Sequence, residues 1–127
     1  MKREAIFSKE GPQPIGPYSQ AIRWGNMVFA AGQTGTDPKT GNLVDGVQAQ
    51  TRQVLMNLNV VLQAAGTDLS HALKTTVFLA DMNDFGAMNA IYGEFFPSAP
   101  PARTTVAVKA LPKGALVEIE VIAVIEQ

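Results

Sequence analysis

The chain of 127 residues is 46% apolar and 17% charged, and ten Lys and Arg against eleven Asp and Glu leave a net charge of -1. That balance argues against a partner held by a strong field, such as nucleic acid or an anionic membrane. With no cysteine and a single histidine, His71, the chain excludes disulfides, thiolate metal sites, a Cys nucleophile and a multi-histidine metal centre of its own.

The length predicts one domain over residues 1–127. The first residues, MKREAIFSKEGP, are charged and contain no long apolar run, so no secretion signal is expected. No stretch approaches the ~20 apolar residues that cross a bilayer. These features predict a soluble, cytoplasmic protein.

Residues 21–31 hold two short apolar segments around Gly25-Asn26, the pattern of a tight hairpin. Residues 36–46, TDPKTGNLVDG, are rich in turn formers and predict a loop. Val47, Thr51, Val54, Leu55, Leu58, Val61, Leu62 and Ala65 then recur every three or four positions, the mark of a long amphipathic helix. Asp45 is its candidate N-cap and Gly66 its stop, and Gln50, Arg52, Gln53, Asn57, Asn59 and Gln63 make its wet face. A short turn capped by Asp68 is expected over 67–72, and a β-branched strand over 74–80.

A second helix over 83–95 would bury Phe85, Met88, Tyr92 and Phe95 or Phe96, with Asp81 as cap and Pro97, Pro100 and Pro101 as terminators. Strands over 103–109 and 116–125 follow, separated by a turn at Pro112-Lys113-Gly114. The methionines Met27, Met56, Met82 and Met88 fall on apolar stripes and need only packing to explain them. The order β-β-β-α-β-α-β-β predicts an α+β fold, one sheet with two helices on a single face.

The last strand strains that picture. Val117, Ile119, Val121, Ala123 and Ile125 make one apolar face, but the other, Leu116, Glu118, Glu120, Ile122 and Val124, is also apolar apart from two acids. Two helices cover only one side of a sheet, so the second side predicts self-association.

Four features point to chemistry. Arg103 is the only charge between Glu94 and Lys109 and opens an apolar strand; its planar fork suits a carboxylate, of a ligand or of the protein itself. Glu118 shares a strand face with Glu120 in apolar surroundings, which disfavour the ionised form and bring proton exchange towards neutral pH. PIGPYSQA presents Tyr18 at the end of an irregular Gly/Pro segment, for a ligand or for ordinary packing on the core. AAGQTG at residues 30–35 ends a strand in small residues that admit a ligand or another backbone closely, although it lacks the Lys-Ser/Thr of a phosphate loop. His71 and Lys74 read as surface or strand-end residues, and no serine sits in a nucleophile elbow.

These segments, in this order, resemble the reactive intermediate deaminase (Rid) family of the YjgF type, also called L-PSP. The matching stretches are IGPYSQA at 15–21, GNMVFAAGQ at 25–33, DPKTG at 37–41, KTTVFLADMNDF at 74–85, PARTTV at 101–106 and LPKGALVEIEVIAV at 111–124. The resemblance implies a chorismate-mutase-like sheet with two helices, three copies joined as a barrel, and active sites between subunits. It implies hydrolysis of 2-aminoacrylate, 2-iminopropanoate and 2-iminobutanoate to keto acids and ammonia, with no cofactor or metal.

By resemblance, Arg103 pairs with the substrate carboxylate and Glu118 activates the water, while Tyr18, Gly32, Asn89 and Thr105 border the substrate. Ala31 stands where many members carry Ser, and Thr105 where many carry Cys. Two competing readings are a non-catalytic carboxylate-binding module and an L-PSP-type ribonuclease. The net charge and lone histidine count against the latter.

Overall fold

A computed structural model of the chain describes residues 1–126. Six strands form one sheet in the order β1-β2-β3-β6-β4-β5, and two helices cover one of its faces. The strands are β1 Arg3–Ile6, β2 Ala21–Trp24, β3 Met27–Thr34, β4 Ala72–Leu79, β5 Ala102–Ala107 and β6 Val117–Val124; the helices are α1 Val47–Ala65 and α2 Phe85–Phe95. All neighbours run antiparallel except β4 and β5. The α+β architecture and the order of elements along the chain match the expectation, with β4 starting two residues earlier than its β-branched run.

Trp24 pairs with Met27 across Gly25-Asn26, which is the expected hairpin. Helix α1 buries Val54, Leu55, Leu58, Val61 and Leu62 completely against β3 and β6. Each such side chain contributes on the order of 1.5–3 kcal/mol of burial, which makes this layer the stable frame of the molecule. Gly66 ends α1 at φ 96, a left-handed conformation that costs glycine nothing, and its N–H reaches the Gln63 and Leu62 carbonyls.

Several local expectations are corrected. Gly46, not Asp45, occupies the N-cap of α1, and no side chain caps it. Gln50 and Asn57 are not on a wet face: they are 5% and 2% exposed. Gln50 donates to the Val44 carbonyl and accepts from the Leu116 N–H, while Asn57 donates to the Thr34 and Thr36 carbonyls. These amides replace the missing strand partners of the loop, which is why burial is affordable for them.

Helix α2 begins at Phe85, after a 3-10 turn over Met82–Asp84 whose N-cap is Asp81, and Ile91 joins Met88 and Tyr92 in its buried stripe. Met56 and Met82 are about half exposed and so are not packing residues, unlike buried Met88. Asp68 caps a 3-10 turn at Leu69–His71 as expected.

The face of the sheet away from the helices is open. Val117, Ile119, Val121 and Ala123 of β6 point into the core, so the alternate residues point out. The cross-strand register places Ile22, Phe29 and Ile122 side by side there, next to Trp24, Met27 and Val124. Trp24 and Phe29 are each 45% exposed.

Candidate active site

Glu118 lies on the open face of β6. Its neighbour across the ladder is Thr34 of β3, beyond a bulge between Ala30 and Gln33 that takes Gly32 out of regular register. Gly32 presses on the Glu118 carboxyl so closely that a Cβ at that position would overlap Oε2. Small residues here do admit a close approach, and what approaches is the carboxyl group. Burial, and next the charge of Glu120 on the same face, hold the Glu118 pKa above the ordinary carboxylate range.

A cavity of about 610 Å3 opens in front of this carboxyl. Tyr18, Gly32, Thr34, Lys113 and Glu118 line it together with the Gln13 and Ile15 segment. Tyr18 is 52% exposed, so it is presented to the cavity and does not pack on the core. Its hydroxyl accepts from the Ile15 N–H at 3.3 Å, which ties the irregular segment to its own tyrosine. Lys113 holds φ 57 between Pro112 and Gly114. The sequence marked these three only as a turn.

Arg103 lies elsewhere. Its ladder partner is Thr75, which is buried beneath the helices, so the Arg103 side chain leaves edge strand β5 on the helix side of the sheet. It enters a second cleft, lined by Asn89, Tyr92 and Gly93 of α2, by Phe96 just beyond its end, and by Pro100 and Pro101. Its guanidinium stands over the Tyr92 ring at 4.7 Å and the Phe85 ring at 5.5 Å. Among the described residues no carboxylate comes within 4.0 Å of it. The protein acid considered as its partner is thus not there.

Thr105 follows Arg103 on the same side of β5, facing Val77. Thr105 Oγ1 and Asn89 Oδ1 are both buried without a hydrogen-bond partner, an uncommon condition that collects at functional sites.

The expected site residues therefore form two groups in one chain: Tyr18, Gly32 and Glu118 at the open face, and Asn89, Arg103 and Thr105 on the helix side. The sheet lies between them. Tyr92 was legible only as a core residue, although Asn89, Tyr92, Gly93 and Phe96 share the helical spacing of one face. His71 is tied to Asp68 and Glu126 at 2.9 and 2.8 Å, apart from both clefts.

Residues 8–125 match the family model described as Endoribonuclease L-PSP. The chain belongs to the Rid (YjgF, L-PSP) family. A RutC family protein of Pyrococcus horikoshii is 54% identical, over 95% of this chain and 97% of its own. The mouse protein named 2-iminobutanoate/2-iminopropanoate deaminase is 49% identical, over 96% and 91%. A crystal structure of E. coli TdcF with bound serine superposes with a TM-score of 0.92 at 40% identity, covering 95% and 98%.

Proposed function

We propose that this Rid protein hydrolyses small 2-imino acids and their enamine tautomers, 2-iminopropanoate and 2-iminobutanoate among them, to the keto acid and ammonia. The observation that carries the reading is the unpartnered Arg103 guanidinium, a carboxylate receptor with no protein carboxylate in it. The raised pKa of Glu118 beside an open cavity supports a proton-transfer role. The name of the mouse relative supports the reaction, and the serine in TdcF supports a ligand of amino-acid size.

Arg103 grips the substrate carboxylate with two N–H donors. A water oxygen then bonds the imine carbon while Glu118 takes one of its protons, and the C=N electron pair moves to nitrogen. Glu118 returns that proton to the nitrogen, leaving a carbinolamine. On collapse the hydroxyl proton follows the same route through Glu118, the C–N bond breaks and the C=O bond forms. Ammonia and keto acid leave, and Glu118 is again a carboxylate. A carboxyl whose pKa is raised towards neutrality gives and takes protons with little loss either way.

Because Arg103 and Glu118 leave opposite sides of the sheet, one chain does not close a site around both. The reading therefore places the site between copies of a homotrimer, with β5 and α2 of one copy against the Glu118 cavity of the next. Ammonia release from freshly generated 2-iminopropanoate tests the reaction: wild type accelerates it and Arg103→Ala does not. Keto-acid binding without ammonia release would favour a carboxylate-binding module instead. Co-refolding Arg103→Ala with Glu118→Gln tests the placement. Mixed assemblies regain activity if the two groups come from neighbouring copies, and stay inactive if one copy supplies both.

A further inference from the structure

We infer that Tyr92 is a positioning residue: its ring is the platform that aims the Arg103 guanidinium, and Thr75 is the anchor that fixes the ring. The inference rests on the carboxylate-binding role proposed for Arg103 above. A free arginine samples many rotamers, and ordering it on each binding event costs affinity. Something must hold this one, and the described residues offer it no acid. What they offer is two aromatic faces, with the Arg103 Cζ at 4.7 Å from the Tyr92 centroid and 5.5 Å from that of Phe85. Both lie inside the ~6 Å reach of a cation–π contact.

An aromatic face suits the task better than a carboxylate would. It holds the cation through the flat side of the guanidinium and leaves the N–H edge free for a ligand. An acid in the same place would occupy that edge and compete with the substrate.

Tyr92 is itself fixed on two sides. Its ring packs against Phe96 at 4.6 Å between centroids, tilted by 40°. Its hydroxyl meets Thr75 Oγ1 at 2.7 Å, where Thr75 is fully buried. Packing alone would be served by phenylalanine, and burying a hydroxyl is costly unless it is bonded. Thr75 is likewise the polar exception on the inner side of β4, whose other inward residues there are Val77 and Leu79. Thr75 also sits directly opposite Arg103 in the ladder. The polar pair thus ties the platform to the strand pair that carries the arginine.

The test uses the whole protein, with pyruvate as the carboxylate probe by calorimetry and 2-iminopropanoate as substrate. For Tyr92→Leu we expect pyruvate affinity and KM to weaken about tenfold while kcat stays within about threefold, the range of a partly desolvated cation–π contact. Tyr92→Phe keeps the ring but gives up the bond to Thr75, and should weaken pyruvate binding about two- to threefold, clearly less than Tyr92→Leu; wild-type affinity in Tyr92→Phe overturns Thr75 as the anchor. Pyruvamide, which has no charge for Arg103 to read, should bind wild type and Tyr92→Leu equally, a result that general loosening of the cleft would not give.

Wild-type affinity in Tyr92→Leu, or equal losses in the Leu and Phe variants, overturns the platform. If Tyr92→Leu does not fold, Phe85→Leu replaces it, with an expected loss of about two- to fourfold from the more distant ring. An unchanged affinity there overturns the inference too. Pyruvate binding that survives Arg103→Ala is a different failure: it removes the carboxylate role of Arg103, and the platform with it.

Discussion

Gly32→Ala is the smallest perturbation that reaches the proposed chemistry. A Cβ at position 32 overlaps Glu118 Oε2 and lies only 3.0 Å from Cδ and 3.1 Å from Cγ. Carbon atoms in contact prefer about 3.5–4.0 Å, so the carboxyl has to retreat by roughly half an ångström to one ångström. Gly32 is not among the glycines at positive φ, so alanine keeps the backbone as it is. The carboxyl is the end of a flexible side chain beside an open cavity, so its retreat is easy. Stability should therefore change by less than about 1 kcal/mol.

Activity should not be spared, because a reacting group misplaced by about 1 Å loses on the order of a hundredfold in rate. Keto-acid formation from 2-iminopropanoate gives kcat/KM, and thermal unfolding checks the fold. Combined with Glu118→Ala, the glycine substitution should add nothing further, since the group it displaces is gone. Wild-type kcat/KM in Gly32→Ala would refute the close approach as a functional constraint. So would a full additional loss on the Glu118→Ala background.

The raised pKa of Glu118 predicts that kcat/KM falls on acidification at a higher pH than an ordinary carboxylate would give, and that Glu120→Gln, by removing the second cause, moves this limb to lower pH. The same shift fixes a sign for stability: what Glu118 contributes is present below its unfolded pKa and lost as pH rises through the folded value, so Glu118→Gln should gain stability over wild type only towards higher pH in urea titrations. Gln50→Ala leaves the Leu116 N–H without its acceptor and should cost about 1–3 kcal/mol in chemical denaturation, whereas an exposed helix position of α1 such as Gln63→Ala should cost almost nothing. His71, bonded first to Asp68 and then to Glu126, should titrate by NMR above the ordinary histidine value, and Asp68→Asn should bring it down. Its contribution is present at acid pH and lost as pH rises through the raised value.

Long periodic signals translated directly into structure. The α1 stripe, the Gly25-Asn26 hairpin and the β-branched run of β4 each state their element locally, because spacing and turn chemistry decide it. Gln50 and Asn57 did not, since a glutamine on a helix looks wet until the loop whose backbone it satisfies is known. Arg103 and Glu118 were visible as charges out of place in apolar strands, which is a local property. That they leave opposite sides of the sheet follows from the parallel β4–β5 pairing and the antiparallel β6, relations between segments far apart in the chain. The setting of Tyr92 was hidden for the same reason: its hydroxyl partner, Thr75, lies on β4, far from α2 in the chain.

The low charge content bears on where those two residues work. A lone soluble domain has little reason to expose Trp24, Phe29 and Val106 at over 40% each along one side of a sheet. Its charges are Arg3, Lys74, Glu118 and Glu120, with Thr34, Thr76 and Thr104 beside them, and Glu118 alone of the two acids is partly buried at the cavity. In the single chain Glu118 is already partly buried at its cavity, which raises its pKa, but the open face leaves the cavity in contact with bulk water. A second copy laid over the face, as proposed above, would cover the exposed apolar residues, exclude water from the carboxyl and bring an Arg103 from outside the chain. The same covering would remove Glu118 further from water and raise its pKa beyond its value in the single chain. The acid limb of activity should therefore lie at higher pH than the Glu118 titration of any variant driven to the monomer, for instance by Phe29→Lys on the open face.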